Sequence, residues 1–251
     1  MVSATTHPIR IGIGGWTYPP WRGGVFYPQG LRQKDELAYA AGVLDAIEIN
    51  GTFHSLQKPQ SFRNWAQAAP DGFRFAVKGS SYTTYRKDLS TAGDSLAKFF
   101  ASEPTGLGDR LGPFCWQLMA SKKFDPAEIA AFFALLPREH AGVPLRHAIE
   151  VGHESFACDE FLALAAEHRV AIVYLEAEDR PVIDADTAGF RYARFKRMQA
   201  EVDTGYPPVE LDRIAALLRG WSARGEVHAF CINGAKERAP AAAMALAERL
   251  A

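Results

Sequence analysis

Glu48, Lys78, Gln117, Glu150, Glu176, Lys196 and Asn233 share one circumstance: each stands at or beside the end of a short apolar run. The runs are DAIEIN, GFRFAVK, PFCWQL, LRHAIEV, VAIVYLE, FRYARFK and EVHAFCIN, and an earlier one, RIGIGGW, closes on Trp16. Desolvating an unpaired Glu, Lys, Gln or Asn costs free energy, so a merely buried run has no reason to end that way. Glu48 or Glu150 reads as a general acid or base. Lys78 would hold one of those carboxylates ionised or polarise a carbonyl. Asn50, Gln117 and Asn233 would orient hydroxyls. His153, three residues beyond Glu150, is a further acid–base candidate because imidazole titrates near neutrality. The bland alternative is local pairing: Lys78 with Glu48 or Glu150, Gln117 with Asn233, and His153 bonded within its own loop.

Arg191, Arg194, Lys196 and Arg197 crowd cations into the seventh run, where Arg194 and Lys196 share a face. Guanidinium suits bidentate anion binding, which makes an anionic or phosphorylated small molecule the expected partner. The alternative is that these cations reach solvent or balance the carboxylates. Aromatics gather after the first run, with Trp16, Tyr18, Trp21, Phe26 and Tyr27; they read as the wall of a ligand site in preference to a plug. The GIGG segment lacks the spacing of a phosphate loop. No HExxH, CxxC or comparable spacing indicates a metal site, so no metal ligands are expected, and no cofactor is indicated.

Elements that could gather such residues follow from periodicity. Helical patterns lie at 31–42, 59–68, 95–101, 125–136, 156–168, 208–223 and 237–250, alternating with the runs. Alternation of this kind calls for an α/β fold with a parallel sheet. Within the runs a small residue precedes the polar one on the same face: Ala46 before Glu48 and Asn50, Ala76 before Lys78, Cys115 before Gln117, Ala148 before Glu150, Ala229 and Cys231 before Asn233. The opposite face is bulky. That pattern predicts a single (β/α)8 TIM-barrel-like domain over 9–251, polar at the C-terminal mouth, after a flexible tail at 1–8. Residues 177–189 are too few for a full helix, so a reduced or missing helix is expected between strands six and seven.

The chain has 251 residues, 48% hydrophobic and 23% charged, with a formal net charge of −1. Near-neutral charge argues against coating nucleic acid by bulk electrostatics, although a local basic patch leaves nucleic acid open as a partner. Three scattered cysteines imply a reducing compartment. The N-terminus has no apolar core of a signal peptide, and no stretch approaches a membrane span of ~18 apolar residues, so a soluble cytoplasmic protein with no membrane partner is expected.

Several of these segments carry a resemblance. GGWTYPPWRGGVFYP, IEINGTFH, FRFAVK, RLGPFCWQL, AIEVGHESF, YARF, Tyr206 and AFCIN, in that order, resemble the YecE-like family, domain of unknown function 72, over essentially the whole chain. The resemblance implies a TIM-barrel-like fold with polar residues at the strand ends, and fixes no activity. Carried over position by position, it singles out Trp16, Tyr18, Trp21, Glu48, Asn50, Lys78, Gln117, Glu150, His153, Arg194, Tyr206 and Asn233. This chain departs from the family pattern at Gly152, where an Arg is usual, at Phe156 for Trp, at Glu176 for an Asp-like residue and at His54 for Tyr. The missing cation at 152 bears on anion binding, which Lys196 or Arg197 would have to supply.

Three functions are compatible with these residues. The first is an acid–base enzyme (hydrolase, lyase or isomerase) acting on a polar, sugar-like or phosphorylated small molecule. The second is a metal-dependent nuclease-like barrel, and the third a non-catalytic binding barrel.

Overall fold

The structure is a computed structural model and describes residues 6–251. Eight parallel strands close into a barrel. They are β1 (Ile9–Gly14), β2 (Ala46–Ile49), β3 (Arg74–Lys78), β4 (Leu111–Gln117), β5 (His147–Glu150), β6 (Val170–Glu176), β7 (Phe190–Phe195) and β8 (Glu226–Cys231). Each strand pairs with its neighbours in sequence, and β1 closes the ring against β8 with Ile9 beside Val227 and Ile13 beside Cys231. Seven helices of eight residues or more are described: α1 (Glu36–Val43), α2 (Pro59–Ala68), α3 (Gly93–Phe100), α4 (Pro126–Leu135), α5 (Asp159–Glu167), α6 (Pro208–Ser222) and α7 (Ala239–Leu250). The single TIM-barrel-like fold expected from the alternation is therefore the fold observed, and residues 177–189 hold no helix.

Local sequence explains the boundaries. Pro59 and Pro126 begin their helices where the missing N–H is harmless. Asp125 caps α4 by accepting from the Glu128 backbone N–H at 3.0 Å. A two-strand hairpin, Glu139–His140 with Val143–Pro144, had no counterpart in the periodicity; it turns on Ala141 and Gly142, both at positive φ. The expected tail falls mostly on residues 1–5, outside the described residues. Beyond them His7 donates its backbone N–H to Ser222 O at 2.8 Å, and Pro8 O accepts from Val227 N at 3.0 Å.

The barrel interior is lopsided. Ala46, Ala76, Cys115, Ala148 and Ala171 supply small side chains from β2 to β6, while Phe190, Tyr192, Phe230 and Ile232 supply large ones from β7, β8 and the residue after β8. This corrects the facing expected for the eighth run. Ala229 and Cys231 point outward into the helical layer, and Phe230 and Ile232 point inward. Packing density requires it: five small residues leave volume that the remaining strands must fill. Outside, the small Ala229 sits in the same cluster as Ala239, Ala242 and Ala243 of α7, which packs on β1 and β8.

Candidate functional site

The inward faces of β2, β4, β5 and β7 bring together Glu48, Gln117, Glu150 and Arg194, joined by Lys196 just past β7. Arg194 is the hub. Its Nη2 donates to Glu48 Oε1 at 3.0 Å and its Nη1 donates to Glu150 Oε2. Glu48 Oε2 accepts from Tyr192 OH at 2.6 Å. Glu150 Oε1 accepts from Lys196 Nζ at 2.9 Å and from Gln117 Nε2 at 2.6 Å. Both carboxylates and the guanidinium are buried. Burial alone would raise the pKa of Glu150, but Arg194 and Lys196 outweigh it and hold the carboxyl at about 2. Burial likewise works against the charge on Arg194, and the two glutamates more than restore it. Glu150 is thus a fixed anion at neutral pH, suited to stabilising positive charge and unsuited to donating a proton.

Lys78 ends β3 on the same interior face as Ala76, and it is 8% exposed. It was expected to hold a carboxylate ionised; the structure corrects this. Among the described residues no carboxylate oxygen lies within 4.0 Å of its Nζ, and Arg194 and Lys196 take that role. The planar guanidinium serves one carboxylate with each terminal nitrogen, a geometry a single ammonium cannot match. Lys78 Nζ instead lies 3.8 Å from the centroid of the Phe53 ring. Burial and the nearby Arg194 charge push its pKa below the ordinary lysine value. The mouth therefore holds two carboxylates and three basic groups, one of them without an ionic partner.

The remaining candidates divide between two clefts and the outer wall. Trp16 and Asn50 line a cleft of about 320 Å³ at the rim of β1 and β2, with His54, Gln57, Trp65 and Lys236. Trp16 meets Trp65 edge-on at 5.2 Å, and Tyr18 lies under the Lys236 ammonium at 4.6 Å. The first loop is wall and plug at once. Trp21 and Tyr27 are buried, with Trp21 Nε1 donating to Lys236 O at 2.9 Å and Tyr27 OH to Trp16 O at 2.5 Å. Asn233, exposed at φ 60°, lines a second cleft of about 510 Å³ with Lys196, Arg197 and Arg180, in which Glu178 and Asp179 also stand. Asn233 makes no hydrogen bond to Gln117, whose Nε2 donates to Glu150, so the alternative pairing of the two amides is not formed. Lys196 is shared between this cleft and the carboxylate cluster.

Three candidates are placed elsewhere. Glu176 follows Tyr174 on the outer face of β6 and accepts from Arg213 Nη2 of α6 at 2.5 Å. Tyr206 is buried, and its OH accepts from the Arg197 backbone N–H at 3.0 Å, anchoring the loop after β7. His153 caps the turn Glu154–Phe156: its Nδ1 accepts from Ser155 N at 3.1 Å and lies 2.9 Å from Ser155 Oγ. At Gly152 a Cβ would stand 3.1 Å from Ala120 Cα and 3.4 Å from Arg180 Cδ. The Arg180 stem therefore crosses the place where a side chain at 152 would begin.

Sequence reasoning missed Tyr192 and Phe53. Tyr192 lies two before Arg194 on the same strand, so period-two alternation could have found it. Phe53 gave no such signal, because its contact with Lys78 is made between a helical turn and a neighbouring strand. Among the described residues there is no group of three or more His, Cys, Asp or Glu side chains that could hold a metal, and no helix long and apolar enough to cross a membrane.

A closed parallel barrel whose charged side chains converge at the C-terminal ends of its strands defines a TIM-barrel-like protein. Residues 10–251 match the family described as "Protein of unknown function DUF72", and the chain belongs to that family. It is 29% identical over 143 residues to the UPF0759 protein YecE of Escherichia coli strain K12, a match covering 55% of this chain and 48% of that protein. The matched region thus spans about half the length of the curated relatives. Among solved structures, a DUF72 family protein from Thermotoga maritima MSB8 superposes with a TM-score of 0.79 at 21% identity, covering 97% of this chain and 99% of that one. Another from Enterococcus faecalis V583 gives 0.76 at 18% identity, covering 97% and 98%. A xylose isomerase-like TIM barrel/4-hydroxyphenylpyruvate dioxygenase fusion protein gives 0.51 at 16% identity, with 96% of this chain and 42% of that one covered. At these identities the structural likenesses speak for the fold alone.

Proposed function

We propose that this protein is an enzyme acting on a small, polar, anionic molecule at the C-terminal mouth of the barrel. One observation carries the reading: two buried carboxylates are fully engaged by Arg194 and Lys196, while a third basic group, Lys78, has no ionic partner. Buried charge is costly when unpaired, and perturbed groups gathered at strand ends are characteristic of sites that do chemistry. Lys196, Arg197 and Arg180 supply cations for the anionic group. Asn50 and Gln57 in the rim cleft supply amides for hydroxyls, which suits a sugar-like substrate. A nuclease using a metal would need carboxylates free to coordinate it, and both at the mouth are already bound to Arg194. Three free thiols suit the cytoplasmic compartment that belongs to this reading.

Screening turnover against sugar phosphates and hydroxy acids tests it. Active wild type should lose about 10²-fold or more in Glu150→Gln, the scale of removing a fixed electrostatic stabiliser. Full activity in that variant would remove Glu150 from the mechanism. Ligand binding without turnover of any panel member would instead mark a binding barrel.

A further inference from the structure

Lys78 is buried at the end of β3 and faces the interior, and among the described residues its Nζ makes no hydrogen bond or ion pair; it lies 3.8 Å from the Phe53 ring centroid. Thr52 Oγ1, which bonds the Lys78 backbone, is committed to carbonyls, Lys78 O at 2.6 Å and Ile49 O at 3.1 Å. The state of Lys78 decides the charge balance of the mouth. As a neutral amine it leaves Glu48 and Glu150 matched by Arg194 and Lys196. As an ammonium it adds a third positive charge to a mouth with two carboxylates, neither of them within 4.0 Å of its Nζ. The direction of its pKa shift agrees with the balanced state. A desolvated amine next to a second cationic group is an activated nucleophile.

We propose that Lys78 forms a Schiff base with a small carbonyl compound that also carries an anionic group, a carboxylate or a phosphate. This rests on reading the mouth as an enzyme site and names its substrate class. The Nζ lone pair attacks the carbonyl carbon and a C–N bond forms, with the π electrons passing to oxygen. A proton moves from nitrogen to that oxygen. A second proton, taken from solvent, lets the C–O bond break with loss of water, and a protonated iminium remains. No oxidant or reductant enters. Glu48 and Glu150, already paired with Arg194 and Lys196, then share the mouth with a positive charge that the neutral amine lacked. Lys196, shared with the cleft between β6 and β8, is placed for the anionic group.

The test is reductive trapping. The protein is incubated with pyruvate, glyoxylate, dihydroxyacetone phosphate or glyceraldehyde 3-phosphate, treated with sodium borohydride, and mapped by peptide mass spectrometry. At least one probe should label Lys78 on the order of tenfold more than the exposed Lys34, Lys58 and Lys98, the gain expected for each unit of lowered pKa. The label should vanish in Lys78→Arg. Labelling of Lys78 no greater than that of the exposed lysines, with every probe, overturns the proposal, and this needs only the wild-type protein. Calorimetric titration with lactate and glycerol 3-phosphate, which have the anion without the carbonyl, separates the two readings. Binding of these without an adduct at Lys78 overturns the nucleophile and leaves the anion site standing. Neither binding nor adduct overturns both.

Discussion

Arg194 decides what every other charged side chain at the mouth is free to do. Its two terminal nitrogens occupy Glu48 and Glu150, which leaves Lys78 without a carboxylate. Removing the hub leaves buried Glu48 without a cation and Glu150 with Lys196 alone. Arg194→Met should therefore lower stability by about 3–5 kcal/mol in urea unfolding, whereas the triple Glu48→Gln, Glu150→Gln, Arg194→Met should recover most of that loss. A triple variant as unstable as the single one would mean that the pairs themselves stabilise the fold. Individual site residues were legible to the extent that their strand registers were. Glu48, Gln117, Glu150 and Lys196 stand out by their positions at run ends and Arg194 by the cations crowded around it, and a balance of those cations against the carboxylates was open as an alternative; which cation reaches which carboxylate was not legible, because it depends on side-chain geometry across the barrel. His153, Glu176 and Tyr206 show the opposite limit: right residue types near strand ends, yet bonded within a loop, to a helix or to a backbone N–H.

At the scale of elements, β3 owes its position to a glycine. Gly79 follows Lys78 directly, and a Cβ there would stand 2.1 Å from the Trp116 ring. Gly79→Ala should thus cost about 1–3 kcal/mol by overpacking and displace the end of β3 together with Lys78. Thermal unfolding indistinguishable from wild type would show that Trp116 can yield. The strands were readable because alternation is a local signal, and most helices because Pro, Asp and amphipathic spacing mark them. The facing of β8 was not, since the residues nearest the mouth are apolar on both faces, Ala229 and Cys231 on one and Phe230 and Ile232 on the other. Only the unfilled volume beside Ala46, Ala76, Cys115, Ala148 and Ala171 decides that Phe230 turns inward. The hairpin at 139–144 escaped for a related reason: two-residue strands have no period to read.

For the molecule as a whole, acid should loosen the barrel in two stages. His147 is buried, with Nδ1 accepting from Trp116 Nε1 at 3.1 Å and Nε2 2.7 Å from Pro137 O, so it is held neutral. Burial lowers its pKa from 6.5 to about 4. The folded state then binds fewer protons than the unfolded one, and stability declines as pH falls from about 6.5 to about 4, by about 3 kcal/mol in all. Glu150, lowered from 4.5 to about 2, extends the decline below about pH 4.5 through the same sign. Buried His228, its pKa likewise lowered by desolvation, adds to the first stage with the same sign, so His147→Gln should lessen that stage in pH-dependent urea titrations and leave the second; an unchanged slope above pH 4.5 would exclude His147 as a source. Lys78 obeys the same linkage at the other end of the scale. Its folded pKa is below 10.5, so any stability it contributes is complete only above that pH and is lost as pH falls. Comparing the unfolding free energies of wild type and Lys78→Met between neutrality and pH 10.5 is the most direct measurement of whether this lysine is kept for chemistry. If it is, the variant is more stable near neutral pH, and its advantage narrows as pH rises toward 10.5. A variant less stable than wild type throughout would make Lys78 a structural tie and contradict the account.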